Sequence, residues 1–286
     1  MSRNEDRLGI HNPADMDDSI AAPAAATQGG SFSWSVPTEF VDLPSEGRFY
    51  PPTHPLHKQP NVEIRYMTAK EEDILTSRSL LKQGVALDRM LQNILVDKTV
   101  QINDLLIGDK NALLVAARRT GYGPDYETLV TCPSCGHQQE YSFDISDPPT
   151  NDYLQQAEEY QVSFNDEGNM SITLPMTSVI VECRLLTGKD EVAAYKETER
   201  KNKKKMDSTI TTDAFRSYIV SVNGDPNPFT IESFIQSMPA RDARHLRQIY
   251  TRVIPNINLT QDFECESCDH ETEMEVPLGV DFFWPK

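Results

Sequence analysis

Two matching Cys-x-x-Cys turns constrain this chain more than any other feature: Cys132 and Cys135 in TCPSCGH, then Cys265 and Cys268 in FECESCDH. A Cys-x-x-Cys turn presents two thiolates from one tight bend to a single ion, and two such turns complete a tetrahedral four-sulfur set. The text around each pair repeats. ETLVTCPSCGHQQEYSF and LTQDFECESCDHETEMEV both carry polar-apolar alternation into and out of the turn, the pattern of a β-hairpin with the cysteines at its tip. Two facing hairpins of this kind make a zinc ribbon, here discontinuous because about residues 136–264 fall between its halves.

Disulfides are the competing use of four cysteines. Neighbours in a Cys-x-x-Cys turn seldom bridge outside redox enzymes, and no export signal is read in the sequence. A thioredoxin-like redox motif would need a βαβ context that neither hairpin supplies. One structural Zn2+ per chain, held by Cys132, Cys135, Cys265 and Cys268, is therefore the expectation. A site with all four positions filled by protein leaves no place for a reactive water, which argues against a metalloenzyme. His137 and His270 each follow a second cysteine by two residues and are alternative ligands, although such histidines more often sit exposed beside the knuckle. Cys183, inside the apolar run VIVECRLL, reads as a buried strand residue.

With 27 basic against 44 acidic residues, the chain carries a formal net charge of −17. Such a surface repels phosphate backbones over most of its area, which weakens the usual link between zinc ribbons and nucleic acid. At 286 residues there is length for two compact regions and a tail, so a metal would be needed locally rather than to rescue the whole fold. No apolar run approaches the roughly 20 residues that span a bilayer.

Residues 1–36 include AAPAAATQGGS and little periodicity, the composition of an arm that is ordered by partners if at all. The segment VPTEFVDLPSEGRFYPPTHPL that follows reads as an extended, packed loop. Val62, Ile64 and Tyr66 alternate as on a half-buried strand, and Thr68 with Glu71 forms a capping box for a helix running to Gly84. Leu87, Met90, Leu91, Ile94 and Leu95 make the cleanest amphipathic stripe. INDLLIGDKNALLVAARRTGYG then suggests a short turn, a cap at Asp109 and a helix ending near Gly121.

The order of LPSEGRFY, MTAKEEDIL, INDLLIGDKNALLVAARRTGYG and the CPSCG knuckle resembles a baseplate hub family of T4-like contractile-tailed bacteriophages. The second half, with LLTGKDE, a late Pro-x-x-Asp helix, CESC and FFWP, is similar to longer members of that family. The likeness covers about residues 37–286. It implies a structural subunit of the tail baseplate, made in the bacterial cytoplasm, built into the virion and in contact with other baseplate and tail hub proteins in a symmetric assembly.

Between the cysteine pairs, VSFNDEGNMSITLPMTSVIVECRLLTG alternates like two short strands, and Lys189–Lys205 reads as a helix whose end, ERKNKKK, concentrates positive charge. Those cations suit a helix C-terminus; Lys203, Lys204 and Lys205 could also dock an acidic partner. TTDAFRSYIVSV, TIESFIQSM and ARDARHLRQIYTRV give three helical patterns. Asp242 and His245 lie at i, i+3, a spacing that more often makes a surface hydrogen bond than an acid-base pair. No nucleophile elbow, phosphate loop or zinc-protease helix is present. At the end, Phe282, Phe283 and Trp284 either cover the ribbon's edge or anchor a partner.

The expected architecture is α+β. An arm (1–36) precedes an N-terminal α+β body (37–125), the first ribbon hairpin (126–146), an inserted α+β domain (147–257), and the second hairpin with its aromatic end (258–286). The expected role is non-enzymatic: a structural hub subunit, with an assembly chaperone missing from the finished virion, or a zinc-ribbon nucleic-acid binder, as alternatives.

Overall fold

Val41, Val62 and Ile64 are buried while their neighbours in sequence face outward, and the two segments that carry them pair as antiparallel strands. These are β1 (Thr38–Asp42) and β2 (Asn61–Arg65), in the register Thr38↔Arg65 to Asp42↔Asn61. The computed structural model describes residues 35–204, 209–276, 278 and 280–283. The expected arm therefore lies, up to Trp34, outside the described residues.

Helix α1 (Ala69–Thr76) begins at the expected capping box: the Thr68 amide and hydroxyl both donate to Glu71, at 2.9 and 2.7 Å. The helix does not run through to Gly84. It stops at Ser77, and α2 (Arg78–Gln83) resumes to a left-handed Gly84. Helix α3 (Ala86–Ile94) buries Met90, Leu91 and Ile94 completely, as its stripe requires. After a 3-10 turn (Ile102–Asp104) comes α4 (Ile107–Tyr122), buried on nearly every side from Gly108 to Arg118.

Asp109 is not the cap of α4; that position belongs to Leu106. Instead its fully buried carboxylate accepts bonds from the Ser45 amide (3.0 Å), the Ser45 hydroxyl (2.5 Å) and the Tyr50 hydroxyl (2.7 Å). Burial raises its affinity for a proton, partly offset by these donors. The irregular segment between β1 and β2 is thus pinned to the central helix by buried polar bonds as well as by apolar contact.

Hairpin β3–β4 (Asp125–Thr131, Gln138–Asp144) follows, and its counterpart β9–β10 (Thr260–Glu264, Glu271–Glu275) lies near the end of the chain. Between them, α5 (Tyr153–Glu159) leads into an antiparallel sheet of β5 (Ser163–Phe164), β6 (Met170–Thr173), β7 (Ile180–Cys183) and β8 (Ile219–Val222), in that spatial order. The sequence led to two strands here. The third and fourth arise because Ser163–Phe164 is too short to read, and because TTDAFRSYIVSV divides into helix α7 (Ile210–Tyr218) and β8, whose β-branched Ile-Val-Ser-Val is captured by β7. Helix α6 (Gly188–Lys204) is largely exposed, whereas α8 (Pro228–Ser237) and α9 (Ala240–Val253) pack on this region.

Two apolar clusters result. The first joins β1, β2, α3 and α4 to both cysteine hairpins and includes Tyr126, Phe143, Phe263, Cys132, Cys265, Phe282 and Phe283. The second, from Ala157 to Val253, contains Met170, Val181, Cys183, Phe215, Leu246 and Ile249. The strands entering and leaving the second region run side by side, with Asn151 N–H donating to the Asn256 carbonyl (3.0 Å) and Asn258 N–H to that of Pro149 (2.7 Å). Helix α4 passes so close to this exit that a Cβ at Gly108 would strike the Pro255 carbonyl.

Candidate metal centre

The inward face of each cysteine hairpin is apolar where it meets the first core and polar at its tip. In β3–β4, Tyr126, Val130 and Phe143 point inward; in β9–β10, Phe263 does the same. Tyr141 and Phe263 meet edge to face with ring centroids 5.3 Å apart, so the hairpins are joined by aromatic contact below their tips.

Polar side chains then fix the register between them. Gln139 donates to the Glu264 carbonyl and accepts from the Glu266 amide, both at 3.0 Å. Gln261 answers from the other hairpin, accepting from the Asp144 amide (3.0 Å) and donating to the Asp144 carbonyl (2.5 Å). The Tyr141 hydroxyl adds a bond to the Asp262 carbonyl at 2.6 Å. Each glutamine reads a stretch of partner backbone with both ends of its amide, which sets one alignment of the tips.

At the tips the four sulfurs converge. Cys132 Sγ lies 3.9 Å from Cys268 Sγ, Cys135 Sγ lies 3.7 Å from Cys265 Sγ, and all four fall within 4.8 Å of one another. Four thiolates at about 2.3 Å from a tetrahedral zinc are about 3.8 Å apart, so this set fits the ion. A disulfide, at about 2.05 Å, does not match, and all five cysteines are free. Cys132 and Cys265 are buried, while Cys135 and Cys268 face solvent.

The two turns are built alike. Cys132 N–H donates to the His137 carbonyl and Gly136 N–H to that of Cys132; Cys265 N–H donates to the His270 carbonyl and Asp269 N–H to that of Cys265. The residue after each second cysteine is left-handed, φ 74° at Gly136 and 52° at Asp269. Backbone N–H groups of Cys135 and Ser134 aim at the Cys132 sulfur and draw its pKa down to about 6 against some burial. Sharing a proton with Cys135 pushes Cys268 up to about 12. Four thiolates this close cannot all ionise without a cation among them, which is what a dication supplies.

The histidines contribute main-chain carbonyls to the turns, while among the described residues the ligand set that converges is the four cysteines. Cys183 is fully buried in the second core, where burial pushes its thiol up, and it is remote in role from the centre. Phe282 and Phe283 are buried, at 1% and 0% exposure; Phe282 meets Tyr126 at 4.9 Å. Both rings pack into the first core. Trp284 lies outside the described residues.

The cationic end of α6 is largely answered by acids of its own neighbourhood. Lys201 pairs with Asp213 at 2.5 Å, Lys203 with Glu199 at 3.2 Å and Arg200 with Glu197 at 2.5 Å. Lys204 is exposed, and Lys205 lies outside the described residues. Asp242 is fully buried and does not bond His245. It accepts from the Met176 amide (2.8 Å) and from the Thr177 amide and hydroxyl (3.1 and 2.8 Å). Burial opposes its ionisation, yet these donors hold its carboxyl below the usual range.

Sequence reasoning missed Arg118. Its guanidinium, 2% exposed on average with the rest of the residue, donates to the carbonyls of Phe282 (2.8 Å), Gly123 (3.0 Å) and Asp125 (3.3 Å). It also lies over the rings of Tyr122 and Tyr126, 5.2 and 5.8 Å from their centroids. Nothing in the local text of α4 distinguishes it from the neighbouring Arg119. The two glutamines left a faint signal, since each lies four residues from the nearer cysteine on the inward face of an alternating strand.

Among the described residues, no helix is long and apolar enough to cross a membrane. A family model described as T4 bacteriophage base plate protein matches residues 37–284. No curated protein and no solved structure matches the chain.

Proposed function

The chain belongs to the T4 bacteriophage base plate protein family, and from that premise we propose that it is a non-enzymatic structural subunit of the hub of a contractile-tail baseplate, positioning neighbouring baseplate proteins. The family match across both cysteine pairs and the region between them carries this reading. The site supports it, because a four-cysteine set filled by protein stiffens a junction and offers no open coordination position for chemistry.

In this reading Cys132, Cys135, Cys265 and Cys268 hold one Zn2+, whose binding supplies cross-linking free energy rather than reactivity. Residues 37–125 and the two hairpins act as one body, and residues 147–257 as an inserted domain presented by it. The separate apolar clusters support that division. Synthesis in the host cytoplasm, where thiols stay reduced, suits a thiolate metal site.

Mass spectrometry of purified virions, paired with zinc quantification on the isolated chain, tests the proposal. A fixed copy number with about one zinc per chain is expected. Zinc without incorporation would assign the chain to assembly rather than to the finished baseplate. Incorporation without zinc would keep the role and remove the metal.

A further inference from the structure

We propose that the outer face of α9 docks onto the outer face of hairpin β9–β10 of a second copy of this chain, in a head-to-tail contact. The inference rests on the reading of the chain as an assembly subunit and does not require the metal.

Helix α9 buries Asp242, Leu246, Ile249, Tyr250 and Val253, and turns Arg241, Arg244, Arg247 and Arg252 to solvent. Among the described residues, none of these four arginines is within ion-pair reach of a carboxylate. Arg247 reaches only the Ala243 carbonyl, and Arg252 only the Tyr160 hydroxyl and ring. Arg244, Arg247, Gln248, Thr251 and Arg252 together form one open, shallow patch of this helix. On a chain of net charge −17, four exposed arginines without an acid partner stand together on this one helix. The end of α6 differs, with Lys201, Lys203 and Arg200 each paired to an acid close by.

The complementary surface is on the ribbon. Glu271 lies opposite Glu264 and Glu273 opposite Asp262, with Glu275 continuing the row, and all five side chains are exposed on one face. Like charges directly opposite on paired strands destabilise a hairpin. None of these carboxylates has a cationic partner among the described residues.

The two faces match in length as well as in sign. From Arg241 to Arg252 the helix rises about 16 Å, and from Glu271 to Glu275 the strand extends about 14 Å. Guanidiniums suit carboxylates because the planar fork makes paired bonds. A nucleic acid would meet the same arginines but would bring a continuous polyanion against a surface that is acidic almost everywhere else. A second copy carries the same net charge of −17, so attraction is confined to the two complementary rows and the contact weakens with any change to either. Because the two faces are different, the contact is heterologous, and repetition closes a ring or extends a filament.

The test uses the full chain and the variants R241E/R244E/R247E and E271R/E273R, followed by sedimentation at about 0.15 and about 0.5 M salt. Wild type is expected to self-associate at the lower salt and to dissociate at the higher. Each variant alone is expected to weaken association about tenfold or more. An equimolar mixture should restore it, because each variant offers the face its counterpart has lost. The substituted side chains are exposed, so circular dichroism and melting should match wild type, and recovery in the mixture excludes misfolding as the cause. A wild type that stays monomeric at high concentration, or association unaffected by either variant, overturns the proposal. So does loss of duplex DNA binding in the α9 variant with self-association intact. Incorporation into virions by a chain that does not self-associate would reject this contact while leaving the baseplate reading in place.

Discussion

Single residues carry the centre in two different ways. The four cysteines form a set that could hold a metal ion, and removing one would leave three thiolates at an edge of the first core. Cys265→Ser is expected to reduce bound zinc from about one per chain to a small fraction and to cost several kcal/mol, since structural metal binding is folding free energy; metal analysis and melting after gel filtration check both. Asp269 holds a left-handed φ of 52° that its counterpart Gly136 adopts without a side chain. Its amide bond to the Cys265 carbonyl survives replacement by glycine. Asp269→Gly should therefore keep full zinc content and stabilise the chain by about 0.5–1 kcal/mol, the relief of backbone strain outweighing the freedom glycine adds to the unfolded chain; a lower melting temperature would refute it. The cysteines were legible from spacing alone, because tetrahedral ligation imposes a local pattern. Arg118 was not, because its partners are main-chain carbonyls, of Gly123, Asp125 and the distant Phe282, and a carbonyl acceptor leaves no residue-type pattern in the text around it.

Elements show where local text is enough and where it is overruled. The start of α1 followed from Thr68 and Glu71, and the structure adds what the spacing could not show, a two-pronged bond from Arg65 to Glu71 at 2.9 and 2.6 Å. Burial opposes ionisation of Glu71, but the Arg65 and Thr68 donors hold its carboxyl at about 2. A depressed folded pKa contributes stability above the unfolded value of about 4.3 and loses it as pH falls toward 2. Glu71→Gln should thus cost about 2–3 kcal/mol at neutral pH, and its melting curve should converge with that of wild type between about pH 4.3 and 2. A constant gap across that window would assign the cost to packing instead. The stripes of α3 and of both hairpins were equally readable. The segment from Thr211 to Val222 was not, because its helical spacing and its β-branched end compete, and only pairing with β7 decides where the helix stops.

At the scale of the molecule, one cysteine of each pair, Cys132 and Cys265, belongs to the cluster that includes β1, β2, α3 and α4, and the insert keeps a core of its own. Loss of the metal should therefore loosen the two cores in order rather than together. Chelation should raise amide exchange first in β3–β4, β9–β10 and the part of α4 near Arg118, while β6, β7 and α9 stay protected; simultaneous loss everywhere would show that the two cores are one cooperative unit. That the two hairpins are separated by a long stretch of chain was visible in the position of the cysteines, whereas the sharing of the first core with both hairpins depends on contacts across more than a hundred residues. That sharing also bears on the order of events during synthesis. A ribosome delivers the strands and helices of the first core early, but Phe263, Cys265, Phe282 and Phe283 are supplied by the segment after Ile257. The insert can condense while the body that carries it is still open, and the body closes only when that later segment emerges. A messenger cut short just after the codon for Ile257 would then yield a folded insert on an unfinished base, a product for proteolysis rather than for assembly.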